Sequence, residues 1–166
     1  MKKVILVFLF GIITHQSKAQ LDSLTFDFWV GKWAATWQNS KGETETGTNL
    51  IEKILDERVL QEHFEILSGG NKGFKGTSIS VWNSRNKTYH QAWADNQGGY
   101  FNFTGEVDSD KKIFKTSPRA RGDQTIIQRM VFYDIKENSF TWDWESSTDN
   151  GDTWSLNWRI NYSRSN

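Results

Sequence analysis

No cysteine occurs in the chain, and proline occurs once. Without cysteine there is no disulfide framework, no thiolate metal site and no residue for lipid attachment behind a leader, so stability has to come from the packed core. Charge of either sign is also missing as a theme. Lysine plus arginine and aspartate plus glutamate both number 20, and no basic run or stripe appears, which removes the electrostatic footprint of a nucleic-acid binder. No helix-length amphipathic stretch is present either. The longest apolar run, Val4 to Ile13, is about half the ~20 residues that a membrane-spanning helix requires.

What that run does fit is a secretory signal. Lys2 and Lys3 precede it, Thr14-His15-Gln16 follow it, and Ser17-Lys18-Ala19 forms a small-x-small cleavage site before Gln20. Residues 1–19 are therefore expected to be a signal peptide and residues 20–166 a single exported domain, secreted or periplasmic, with no stable membrane insertion after cleavage. Removing Lys2, Lys3 and Lys18 leaves 17 basic against 20 acidic residues, a net charge of −3. The remaining length suffices for one domain that buries more than half of its unfolded surface.

Behind a short lead that includes a possible helical turn, the chain breaks into segments of period-two patterning separated by Gly, Asn, Asp and Ser clusters. The pattern predicts strands at 32–38, 47–55, 59–67, 76–83, 87–95, 100–107, 112–116, 125–134, 139–146 and 153–163. Short hairpin links favour antiparallel neighbours, and closing the meander removes exposed edges. The expected fold is all-β, a single antiparallel up-and-down β-barrel of about ten strands. The lone proline, Pro118, lies in Ser117–Gly122, the least patterned stretch and the expected mobile loop.

Nine tryptophans are the positive signature. In a strand, Trp33, Ala35 and Trp37 share one face. Phe140, Trp142 and Trp144 share a face of the penultimate strand, and Trp154, Leu156, Trp158, Ile160 and Tyr162 one of the last. First and last strands adjoin in a closed barrel, so these rings are expected to converge inside.

Gly31-Lys32-Trp33 resembles the Gly-x-Trp signature on the first strand of lipocalins and the wider calycin superfamily. That resemblance implies that Trp33 plugs the closed end under an arginine from near the last strand, Arg159 first and Arg164 second. A longer set is similar to an exported bacterial family of unassigned function with a calycin-like barrel: Phe26 to Trp33, Val59-Leu60-Gln61-Glu62, His90 to Asp95, and Ser147 to Trp154. The likeness covers most of the mature chain and implies fold and export, with no catalytic residues to carry over. Ten strands are closer to the fatty-acid-binding and nitrobindin types than to an eight-stranded lipocalin. A nitrobindin-like protein would hold haem through a histidine on a late strand; the late strands contain none, and no cofactor is expected.

Ser147-Thr148-Asp149-Asn150-Gly151-Asp152-Thr153-Trp154 fits the Asp-box pattern S-x-D-x-G-x-T-W. Its physics is that of a hairpin turn: Asp149 and Ser147 bond turn backbone, Gly151 supplies a positive φ, and Trp154 anchors the hairpin. One copy argues against a propeller. After cleavage only His63 and His90 remain, with no His-x-His or HExxH arrangement, so no metal site is expected. His63 shares a face with Gln61 and Glu65, as a solvated residue would.

Glu62 shares parity with Leu60, Phe64 and Ile66, the apolar face. A carboxylate there needs a cationic or hydrogen-bonding partner, or carries a raised pKa. Arg129 is the candidate partner, although both parities of its strand are apolar. Glu62 is either a structural pair or a ligand-orienting or acid–base group. Trp93 and Asp95 run into the Asn96–Gly99 turn, either as a ligand-stacking set at the barrel mouth or as a core ring and a turn cap.

The leading expectation is a barrel lumen that binds a small apolar or aromatic molecule, with Glu62, Trp93, Asp95, Arg129 and Trp144 at the ligand. Gly31, Trp33, Arg159, Asp149, Gly151 and Trp154 are expected to be structural. Two other classes remain open: an isomerase, lyase or hydrolase using the barrel carboxylate, and a carbohydrate-binding accessory with exposed tryptophans. The sequence leaves the oligomeric state open.

Overall fold

The computed structural model describes residues 20–165; the expected signal peptide lies outside the described residues. Alternating polar and apolar side chains with many β-branched and aromatic residues build eleven strands. They are β1 (Gly31–Gln38), β2 (Thr44–Ile54), β3 (Val59–Ile66), β4 (Lys75–Asn83), β5 (Thr88–Asp95), β6 (Tyr100–Asp108), β7 (Lys111–Thr116), β8 (Arg119–Arg121), β9 (Gln124–Lys136), β10 (Ser139–Ser147) and β11 (Ser155–Arg164). Ten of them close an antiparallel barrel, each neighbour following in chain order except that β7 pairs directly with β9. Closure is made by β1 against β11, with Trp33 opposite Arg164 and Ala35 opposite Tyr162.

The eleventh strand, β8, falls within Ser117–Gly122, where the sequence pattern predicts a mobile loop and no strand. Arg119–Arg121 pair with the first residues of β9 as a short arm beside the barrel, the chain turning at Gly122 with φ +59°.

One end of the barrel is plugged by the lead segment. A 3-10 turn, Asp27–Trp29, is entered from Phe26, whose ring stacks on Phe114 at 4.2 Å and meets Tyr89 edge-on at 5.0 Å. Tyr89 donates to the Ser23 carbonyl at 2.6 Å, and Lys53 holds Asp27 at 2.7 Å, so the lead is tied to the wall at two points. Burying a ring of this kind removes roughly 150–250 Å² from water and contributes a few kcal/mol, enough to offset the ordering of a short lead.

Trp33 sits above this plug, its indole N–H donating to the Trp29 carbonyl at 2.7 Å. The arginine across it is Arg164, 4.1 Å from the ring centre, which also donates to the carbonyls of Val30 and Glu137. Arg159, the first expectation, is not there. Inward residues of β11 are the even-numbered Trp158, Ile160 and Tyr162, so Arg159 faces outward and forms a two-point ion pair with Asp143 at 2.6 and 2.7 Å. Gly31 is explained by the same contact: its φ is +129°, and a β-carbon would collide with the Arg164 guanidinium.

Candidate functional site

Above the plug, the inner wall changes character on one side. From β2, β3, β4 and β5 it carries Asn49, Glu62, Ser78, Ser80 and Gln91, all buried. Strand pairing places Glu62 opposite Ser78, and Ser80 opposite Gln91. The Asn49 amide donates to Glu62 Oε1 at 2.8 Å, the Ser78 hydroxyl to Oε2 at 2.6 Å, and the Gln91 amide to Ser80 at 2.9 Å. Among the described residues no cation pairs with Glu62. Burial pushes its carboxyl up to about 7, against the two hydrogen bonds that favour the ionised form. Tyr162, on β11, is itself raised by burial and by the neighbouring carboxylate. Among the described residues the amide oxygens of Asn49 and Gln91 receive no hydrogen bond.

Facing this polar wall is an aromatic cavity of about 170 Å³, bounded by Glu62, Trp93, Asp95, Trp142, Trp144 and Trp158 together with Phe64, Phe74, Phe101, Phe103, Met130, Ile160 and Tyr162. Trp142 and Trp144 lie parallel, 6.5 Å apart, whereas Trp158 stands at 88° to Trp142 and Phe101 at 78° to Trp144. Phe74, from the β3–β4 turn, stacks on Trp93 at the open end. Trp93 lies across β4 because Gly76 leaves room for it; a β-carbon there would overlap the indole. Beyond Phe74 and Trp158 the cavity meets a depression at the barrel mouth lined by Trp37, Glu45, Asn71 and Gln97.

Four of the expected ligand residues, Glu62, Trp93, Asp95 and Trp144, thus border one space. Asp95 is also a turn cap: its carboxylate accepts from the amides of Gln97 and Gly99 at 3.0 and 2.8 Å and from the Trp93 indole at 3.3 Å. Arg129 is elsewhere, which corrects its expected place inside. Met130 lies opposite both Trp144 and Phe114, so even-numbered residues of β9 point inward. Arg129 lies on the outer wall, paired with Glu145 at 2.6 Å and 3.7 Å from the Trp154 ring centre. Both parities of β9 are buried, which is why its alternation is ambiguous.

Trp154 and Leu156 also differ from expectation. The pairing of β10 with β11 shifts by one residue, Trp144 opposite Trp158 but Glu145 opposite Leu156, so the extra residue turns the start of the strand inside out. Leu156 is half exposed, and Trp154 covers Arg129 while donating to the Gly151 carbonyl at 3.0 Å. Within that turn Asp149 accepts from Ser147 and from the Thr153 amide and hydroxyl, which hold its carboxyl well below the usual range, and Gly151 adopts φ +96°.

Asn49, Ser78, Ser80 and Gly76 were missed by sequence reasoning. The one available signal was the strict alternation over β4, and it points the wrong way: Ile79 and Val81 are on the outer face, over a third exposed, and the serines are inside. His63 and His90 are exposed, and among the described residues no group of three or more His, Asp or Glu is arranged to hold a metal ion. Trp29, Trp33 and Trp37 are buried and the other six tryptophans are partly buried. A wider groove of about 610 Å³ on the outer wall, past Lys32, His63 and the Lys75–Glu65 pair, is open to solvent. Among the described residues no helix is long and apolar enough to cross a membrane.

No protein-family model and no curated protein matches the chain. Among solved structures it is similar to a redesigned beta barrel, at 11% sequence identity and a TM-score of 0.44 over 89% of this chain and 100% of that one.

Proposed function

We propose that the protein is an exported, calycin-like barrel that binds a small, single-ring or similarly sized molecule in its lumen. The observation that carries the reading is the aromatic cavity of about 170 Å³ with one buried carboxyl, Glu62, on its polar side. Apolar cavities of roughly 150 Å³ accept a benzene-sized guest, so size restricts the ligand to about one ring. Apolar walls supply affinity and the few convergent polar groups supply orientation, the usual division of labour in small-molecule sites. The leader-like segment at 1–19 and the Gly31-Lys32-Trp33 arrangement support the export and calycin parts of the proposal.

Titration of the mature protein with toluene and benzyl alcohol, read by intrinsic tryptophan emission and by native mass spectrometry, tests it. Saturable emission changes with one-to-one adducts are expected, since Trp93, Trp142, Trp144 and Trp158 all border the cavity. Unchanged emission and a bare polypeptide mass at saturating probe would sink the proposal.

A further inference from the structure

We infer that the lumen selects a small organic cation, an alkyl- or arylmethyl-ammonium group seated against the aromatic faces and paired with the Glu62 carboxylate. The inference rests on the lumen-binding reading and names the class of its ligand.

The distribution of charge is the first support. Cavity and mouth share Phe74 and Trp158 and together are lined by three carboxylates, Glu45, Glu62 and Asp95, with no lysine, arginine or histidine among the described residues. Elsewhere, among the described residues, the acids that are at least partly buried, Asp27, Glu65, Glu106, Asp143 and Glu145, each have a basic partner within 4 Å, and those without one are exposed. A buried carboxylate ordinarily needs such a partner, and among the described residues Glu62 has two neutral donors, the amide of Asn49 and the hydroxyl of Ser78. Arg119 does not fill the role. It stands 5.5 Å from the Phe101 ring centre, donates to Gln128 at 2.5 Å, and does not line the cavity.

Aromatic geometry is the second support. Four indoles, Trp93, Trp142, Trp144 and Trp158, border the space, and the nearly perpendicular settings of Trp158 against Trp142 and of Phe101 against Trp144 turn aromatic faces in more than one direction around it. Such faces attract a desolvated ammonium centre, and tryptophan does so most strongly. An anion would meet three like charges and no donor cation; a neutral ring would leave Glu62 without a counter-charge.

Proton linkage gives the test its internal control. Asn49 from β2, Ser78 from β4 and Tyr162 from β11 surround Glu62, and of these only Tyr162 titrates, far above neutrality. Glu62 is therefore the group whose ionisation the cation requires, and it ionises around pH 7. The experiment is calorimetric titration of the mature protein with benzylammonium, benzyl alcohol, toluene and benzoate at about pH 6 and about pH 8, benzylammonium being charged at both. At about pH 8 benzylammonium should bind about tenfold more tightly than benzyl alcohol, and benzoate most weakly. The preference should shrink at about pH 6 and vanish in Glu62→Gln.

Toluene or benzyl alcohol binding as tightly as benzylammonium at the higher pH, or a preference that survives Glu62→Gln, would overturn the cation inference while the lumen reading stands. Binding of none of the probes would overturn both. Should Glu62→Gln fail to fold, the wild-type preference at the two pH values decides alone: growth with pH supports the inference, and independence of pH overturns it.

Discussion

Glu62 owes its properties to three strands rather than one. It is 6% exposed, hydrogen-bonded from β2 and β4, and its carboxyl is raised from 4.5 to about 7 chiefly by burial. A carboxyl raised on folding binds its proton more tightly in the native state, so its favourable contribution is complete below about pH 4.5 and is lost as pH climbs through 7. Unfolding free energies from denaturant titrations between these limits should therefore fall with pH, by about 3 kcal/mol if Glu62 alone responds. Glu62→Gln should remove that slope. A flat profile in the wild type would show that Glu62 is not buried as a lone acid. The position of Glu62 on the inner face was legible, because Leu60, Phe64 and Ile66 share its parity. Its partners were not. Arg129 was chosen for charge complementarity, but parity on β9 is decided by Met130 packing between Phe114 and Trp144, contacts that no local window contains.

At the scale of elements, ten strands fell where alternation put them, and the discrepancies have local causes. Strand β4 reads inside out because its outer residues, Ile79 and Val81, are more apolar than the serines it turns toward Glu62 and Gln91. Hydrophobic alternation assumes an apolar interior, and this barrel has a polar strip inside. Strand β11 changes face at its one-residue shift, which period-two counting carries straight through. The turn before it is a self-contained unit. The Ser147 hydroxyl, 2% exposed, donates to Asp149 at 2.7 Å and accepts from the Gly151 amide at 2.8 Å. Ser147→Ala leaves that amide and the Asp149 carboxylate each short of a partner and is expected to cost about 1–3 kcal/mol, measured by urea unfolding. A loss below a few tenths of a kcal/mol would mean that the turn is held instead by Trp154 on Arg129.

For the whole molecule, closure is the governing fact. Every strand of the barrel has two hydrogen-bonded neighbours, whereas β8 pairs only with β9 and its three residues are exposed. Hydrogen exchange should accordingly divide the chain in two: fast exchange at Arg119–Arg121, and slow exchange with similar protection in the ten barrel strands, which have no edge from which to open. Early exchange along the β1–β11 seam would show that closure is weaker than the rest. Sequence by itself determined the ten strands of the barrel, the antiparallel order, the inward tryptophans of β1 and the acidic residue among apolar neighbours at Glu62, because alternation and turn chemistry are properties of adjacent residues. The tertiary structure alone decided that Arg164 rather than Arg159 crosses Trp33, that Arg129 and Trp154 lie outside, and that serines and amides line one wall. Each of those depends on register between strands distant in the chain, where a shift of one residue exchanges inside for outside.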